Sequence, residues 1–208
     1  MHENGRFGPI EWARAGRPLP GEYTSGDQGI AIGIGDDAAL FGVVDGLGHG
    51  PDAASAALSA VDAIKRASSE RLEVLVQLCH RVLDGTRGVA MTLARIDFSA
   101  STLTWTGVGN VTAELVAKAP TGIHLRSTAR LTGGIVGYRI PEIRPAQVLS
   151  IRPGDLLVMS TDGIAEDYLE HIDFAASAVV ITERLLAKHA KETDDAMVLA
   201  ARHRGVST

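Results

Sequence analysis

Four acidic positions share one local grammar, an aspartate placed where an apolar run begins or ends. Asp45 closes the run 39–44 and is followed by Gly46. Asp162 follows the run 156–159 through Ser160 and Thr161 and precedes Gly163. Asp194, paired with Asp195, precedes the run 196–201, and Asp27 follows Ser25 and Gly26 just before the run that starts at Ile30. Carboxylates at strand ends are held by a rigid scaffold and can converge from distant parts of a chain. Several together make an all-oxygen ligand set, which suits a hard divalent ion, Mg²⁺ or Mn²⁺, rather than zinc. A glycine directly after the aspartate has no Cβ, so its backbone can approach closely and turn a carbonyl toward such an ion. An Asp-Gly pair is first of all a turn signal, and Asp36–Asp37 between two strand-like runs reads as a plain hairpin turn. Asp45 and Asp162 differ from it. After Asp45 the chain passes through Gly46, Leu47, Gly48, His49 and Gly50 toward a helix; after Asp162 it enters the polar stretch Glu166, Asp167, Tyr168. His49, inside the glycine loop, is a candidate to touch substrate.

Other chemistries fail on the letters. Gly46, Gly48 and Gly50 are spaced G-x-G-x-G, not the G-x-G-x-x-G of a dinucleotide site, and the aspartate before them would repel a pyrophosphate. No G-x-x-x-x-G-K-[ST] phosphate loop occurs. A cysteine phosphatase needs an arginine six positions after its cysteine, where Cys79 is followed by Gly85. Cys79 falls on an apolar helix stripe and reads as core. The seven histidines lack the i, i+4 pairing of a helical zinc site; apart from His49 they read as surface or packing residues. Ser25, Ser160 and Thr161 have no G-x-S-x-G elbow around them.

The elements that must position these groups follow from periodicity. The opening stretch to about Gly21, punctuated by glycine and proline, reads as loop with room for one edge strand near residues 10–15. Residues 30–34 and 39–44 read as a hairpin. Helical spacing of apolar residues follows over 51–64 and again over 72–83, with Pro51 and Asp52 suiting a first turn. Period two returns over 89–97 and 102–108, a hairpin, and 112–117 continues the meander. Residues 123–127 and 146–151 are weaker strands, 156–159 is a strand covered on both faces, 174–188 is a third helix and 196–201 a last strand. The loop 131–137 is expected near the mouth of the site. An antiparallel sheet system with helices packed outside fits this order.

Composition bounds the rest. The 208 residues are 45% hydrophobic and 22% charged, which fits one globular domain spanning 1–208 with 1–9 as a flexible lead-in. Aromatics are only 4%, so aliphatic residues and alanine must build the core. No apolar run approaches the roughly 20 residues of a membrane span, no secretory signal is visible at the start, and the single cysteine forbids an internal disulfide. A cytoplasmic protein is expected, with no membrane partner. A net charge of −5 argues against a nucleic-acid partner.

Taken in order, Asp27 after Ser25–Gly26, the run 43–50 with its D-G-L-G-H-G, the run 156–163, and Asp194–Asp195–Ala196–Met197–Val198 resemble the metal-dependent serine/threonine protein phosphatases (PPM/SpoIIE-like). The resemblance covers about residues 12–202 and is nearest the bacterial branch of sporulation and stress-response phosphatases, with a compact length like that of the stressosome feedback enzymes. It implies an α+β fold, a four-layer α-β-β-α sandwich of two antiparallel sheets flanked by helices. It also implies a centre of two Mn²⁺ or Mg²⁺ ions, with Asp45 bridging, the Gly46 carbonyl completing one shell, Asp162 and Asp194 on the other ion, and Asp27 acting through a bound water. The implied activity is hydrolysis of phosphoserine or phosphothreonine by a metal-activated water, on phosphorylated STAS-domain regulators of the RsbS and RsbR kind. Two departures stand out. The family's glutamate ligand before Asp27 is replaced by Gly26, and its phosphate-binding arginine by Glu22. A non-catalytic phosphoprotein-binding module is the alternative they leave open.

Overall fold

The computed structural model describes residues 1–120 and 122–205. In chain order the elements are β1 (His2–Phe7), β2 (Ile10–Arg17), β3 (Asp27–Ile34), β4 (Ala38–Gly46), α1 (Pro51–Arg66), α2 (Leu72–Val82), β5 (Val89–Asp97), β6 (Thr102–Val108), β7 (Thr112–Ala119), β8 (Gly122–Thr128), β9 (Gln147–Ser150), β10 (Leu156–Ser160), a 3-10 helix (Glu166–His171), α3 (Ala178–His189) and β11 (Ala196–His203). Among the described residues the strands form two antiparallel sheets, β1-β2-β11-β10-β7-β8 and β3-β4-β5-β6-β9. The sandwich expected from the resemblance is the fold.

Strict alternation along the inner strands builds the layers. In β4 and β5, Phe41, Val43, Ala94 and Ile96 point to the space between the sheets, where they meet Trp12, Trp105, Leu157 and Leu199. Their neighbours Leu40, Val44, Met91 and Leu93 point the other way, onto α1 and α2. In β10 and β11, Met159, Met197 and Leu199 join the central core, while Val158, Val198 and Ala200 pack on α3 and the 3-10 helix. Strands buried on both faces have no polar alternation to show, which is why residues 156–159 are continuously apolar. The scarcity of aromatics is met by small residues: α1 lays Ala53, Ala56, Ala57, Ala60 and Ala63 against the sheet.

Three expectations need correction. The strand expected near residues 10–15 is present as β2, but the stretch before it is not loop: residues 2–7 pair with 10–15 as a tight hairpin, and β2 also pairs with β11 along its length. Gly5 belongs to that strand, because the Trp12 ring lies on it, only 3.2 Å from where a Cβ would sit. The second correction concerns β7, which does not continue the meander. The chain crosses between sheets after β6, and β7 pairs with β10 and β8. The helix expected over 174–188 starts later, at Ser177, whose hydroxyl accepts from the Val180 N–H as an N-cap should.

Candidate metal centre

The sandwich brings the aspartates to one end. Asp27 and Asp45 face each other directly across the β3–β4 ladder. Asp162 follows the last residue of β10, and Asp194–Asp195 lead into β11, its antiparallel neighbour. The two sheets thus each contribute a pair of strand ends. Both Asp-Gly pairs have a steric reason independent of any ion. A Cβ on Gly46 would lie 2.2 Å from the Ala53 carbonyl oxygen, and one on Gly163 would lie 1.8 Å from that of Asp195. Glycine at 46 lets the start of α1 sit over the strand end, and glycine at 163 lets β10's exit pass the entry to β11.

The carboxylates feel one another strongly. Burial, then the negative charge of Asp45, pushes the Asp27 carboxyl well above the usual carboxylate range, against the opposing hydrogen bond from Thr161. Burial followed by the charges of Asp162, Asp194 and Asp195 raises Asp45 to about 7, with Asp27 within hydrogen-bonding reach. Asp194 is also raised, chiefly by burial and then, against the Asp195 N–H that it accepts, by the charges of Asp162 and Asp195. Desolvated like charges drive these shifts. A cluster left in this state has an excess of negative charge that cations would neutralise, and its donors are all oxygen, so the residues present fit hard divalent ions.

Several supporting neighbours carry no spacing signal that gives their place in the site. Thr161 Oγ1 donates to Asp27 Oδ2 at 2.7 Å while accepting from the Met197 N–H at 3.0 Å, which locks Asp27 to the other sheet. Asn110 Nδ2 donates to Asp162 Oδ2 at 2.7 Å. Asp195 is a brace: its two oxygens accept from Gly26 N and Leu19 N, each at 2.8 Å, so of the acidic pair Asp194 is the member left toward the cluster. Lys191 Nζ donates to the Asp162 carbonyl at 2.6 Å. Arg87 extends over the glycine loop, 3.0 Å from a Cβ built on Gly48, and is paired with Asp52 at 3.1 Å.

The remaining predicted positions fall as follows. His49 is exposed and held at 3.1 Å by Glu22. Gly26 has no space for the missing glutamate, since a Cβ there would lie 2.9 Å from Ala53 Cβ and 3.1 Å from Asp195 Oδ2. The loop 131–137 docks on Gly88, Val89 and Gly109, one strand behind Leu47. A cleft of about 440 Å³ opens beside Asp162, lined by Asn110, Thr161, Glu166, Tyr168 and Lys191 among others.

The model of the family described as Stage II sporulation protein E (SpoIIE) matches residues 35–204. The chain belongs to the SpoIIE family. This SpoIIE-family chain is 24% identical over 161 residues to the phosphoserine phosphatase RsbX of Bacillus subtilis (strain 168), covering 77% of this chain and 78% of that one. Among solved structures it is similar, at 30% identity and a TM-score of 0.82, to a chain described under "The bacterial stressosome: a modular system that has been adapted to control secondary messenger signaling", over 93% of this chain and 99% of that one. RsbX in complex with magnesium superposes with a TM-score of 0.81 at 20% identity, over 97% and 98% of the two chains. No helix among the described residues is long and apolar enough to cross a membrane.

Proposed function

We propose that this SpoIIE-family domain is a protein phosphatase dependent on divalent metal ions, Mn²⁺ or Mg²⁺, acting on phosphoserine or phosphothreonine. One observation carries the reading: Asp27, Asp45, Asp162 and Asp194 arrive from both sheets at one end of the sandwich, where burial and the neighbouring carboxylates raise the proton affinity of Asp27, Asp45 and Asp194. Asp45, the Gly46 carbonyl, Asp162 and Asp194 would hold two ions, with Asp27 contributing through water. When bound, the ions supply the positive charge that neutralises phosphoryl oxygens and acidifies the attacking water.

The chain's own residues do the rest. Thr161 fixes the Asp27 carboxyl, Asn110 and Lys191 orient the Asp162 segment, and Asp195 holds the Gly26 backbone under the cluster. Arg87 and Lys191 are the cations at the rim that take the place of the absent phosphate-binding arginine. Glu22, in the position of that arginine, instead holds His49 over the glycine loop, where the imidazole is available to the phosphoryl group or leaving oxygen. The likeness to RsbX and to a chain from the stressosome supports phosphorylated STAS-domain proteins of the RsbS/RsbR kind as substrates, in a cytoplasmic stress-signalling pathway.

Hydrolysis of p-nitrophenyl phosphate with Mn²⁺ tests the site. Asp45→Asn and Asp162→Asn should each abolish turnover while circular dichroism shows an unchanged fold, and wild-type rates in either variant would overturn the assignment. Gly26, which removes one carboxylate with no space to restore it, is the observation that favours a non-catalytic phosphoprotein-binding module. Phosphorylated STAS-domain protein separates the two readings, because a phosphatase releases phosphate from it and a binding module retains it unchanged.

A further inference from the structure

A second cluster of ligating groups lies beyond the carboxylates, in the segment that leaves Asp162. Asp167 and His171 sit on the 3-10 helix, and His189 is the last residue of α3. One ligand atom from each lies within 4.8 Å of the others. His189 Nδ1 is 3.1 Å from Asp167 Oδ1. The two imidazole rings lean together with centroids 4.8 Å apart, and His171 Nδ1 is 3.2 Å from the Asp167 carbonyl oxygen. A carbonyl can only accept, so in that contact His171 carries its proton on Nδ1 and keeps a lone pair on Nε2.

His189 is the telling member. Its side chain is only 8% exposed, and its Nε2 is buried with no hydrogen-bond partner. If Nδ1 donates to the Asp167 carboxylate, Nε2 is a bare lone pair in the interior; if Nε2 holds the proton, a buried donor is unsatisfied. Either state leaves a buried nitrogen unsatisfied, which the Asp–His hydrogen bond does not relieve and a metal bound at Nε2 would.

We propose that Asp167, His171 and His189 form a transition-metal site of the zinc class, distinct in place and chemistry from the carboxylate cluster. Two imidazole nitrogens and one carboxylate oxygen are a zinc ligand set, whereas Mg²⁺ and Mn²⁺ prefer oxygen alone. Bonds of about 2.0–2.1 Å in a tetrahedral shell place ligand atoms about 3.3 Å apart. The widest separation must therefore close by about 1.5 Å at most, and Asp167 and His171 are exposed, so a change of side-chain rotamer can supply it.

The ion would clip the 3-10 helix to the end of α3. That junction also carries the Ala165 N–H to His189 carbonyl bond at 2.9 Å, the Lys191 N–H to Gly163 carbonyl bond at 2.8 Å, and the Lys191 ammonium on the Asp162 carbonyl. Glu166 and Tyr168 of the same helix line the cleft beside Asp162. Zinc here stiffens one wall of the cleft without entering it. The inference goes beyond the phosphatase reading and stands if that reading fails.

The test uses untagged full-length protein carrying Asp45→Asn, which disables the carboxylate cluster. Zn²⁺ is titrated against a chromophoric chelator, and Co²⁺ is added separately as a spectroscopic probe. The expected result is one equivalent of Zn²⁺ bound, a visible Co²⁺ absorption band from nitrogen ligation, and a rise in thermal midpoint with Zn²⁺ that Mg²⁺ does not reproduce. Adding His171→Ala, or separately Asp167→Asn, both at exposed positions, should weaken Zn²⁺ binding by at least about tenfold and remove the midpoint rise. The site is overturned if the Asp45→Asn protein binds no Zn²⁺, or if it binds Zn²⁺ undiminished after His171→Ala and Asp167→Asn.

Discussion

Asp45→Asn should make the metal-free protein more stable while making it deaf to Mn²⁺. The Asp45 carboxyl is raised from 3.8 to about 7 by burial and then by three neighbouring carboxylates. The folded state therefore holds this proton more tightly than the unfolded chain does. Stability falls as pH rises from about 4 to about 7, and the full cost is present above that window. A tenfold change in proton affinity is about 1.4 kcal/mol, so the shift corresponds to about 4 kcal/mol at pH 8. Asp45 is not wholly removed from solvent and counter-ions reach the cluster, which reduces the working figure to about 2 kcal/mol. Asparagine keeps the shape and discards the charge, and it also relieves Asp27, on which Asp45 is the largest charge. For a domain of this size about 2 kcal/mol is a midpoint rise of about 4–8 °C. The assay is thermal unfolding in EDTA, followed by circular dichroism, at pH 8 and at pH 4. The gain should be clear at pH 8 and gone at pH 4. Added Mn²⁺ should raise the wild-type midpoint by mass action and leave the variant unmoved. A variant no more stable than wild type at pH 8, or equally stabilised at pH 4, would refute the claim that carboxylate crowding at this end of the sandwich opposes folding until ions arrive.

Three other perturbations probe the supports around the cluster. Thr161→Val removes the donor to Asp27 and leaves the buried Met197 N–H without its acceptor; a loss of about 1–3 kcal/mol in urea unfolding should accompany weaker Mn²⁺ binding by calorimetry. Gly163→Ala drives a Cβ to 1.8 Å from the Asp195 carbonyl oxygen, a backbone atom that cannot swing aside. It should lose about 3 kcal/mol or more, whereas Gly133→Ala, with nothing within 4 Å of its Cβ, should unfold at the wild-type midpoint. Burial pushes the Cys79 thiol up to about 12, so an aromatic disulfide reagent at pH 8 should leave the native protein unlabelled and react with one thiol per chain in guanidinium.

Part of this was written locally and part was not. The hairpin of β3 and β4, the two helices after the glycine loop and the strand at 156–159 each follow from period or apolar run length. So do the aspartates, because an acidic residue closing an apolar run is visible without knowing where the run goes. What periodicity does not encode is which sheet a strand joins. Both β6 and β7 are buried or half-buried on most of their length, and the bend between them at Gly109, with φ of 95°, resembles any hairpin turn on paper. The opening hairpin was hidden for a different reason: Gly5, Gly8 and Pro9 look like loop punctuation until Trp12 is seen lying on Gly5.

The same distinction separates the proposed ligands from their supports. Asp27, Asp45, Asp162 and Asp194 are recognisable because each brings its context with it, whereas Thr161, Asn110, Lys191 and Asp195 acquire their roles only across the fold. Asp195 shows this most sharply. It stands beside Asp194 with the same chemistry, yet both its oxygens are taken by the backbone N–H groups of Leu19 and Gly26, about 170 residues earlier in the chain. Nothing in the dipeptide says which carboxylate is consumed. His171 and His189 make the converse case. Eighteen positions apart, they fit no ligand spacing, because a helix end and a 3-10 turn, not a repeat, bring them together over Asp167. A reading by motif finds sites whose geometry is local to each strand end; sites assembled from element termini need the fold first.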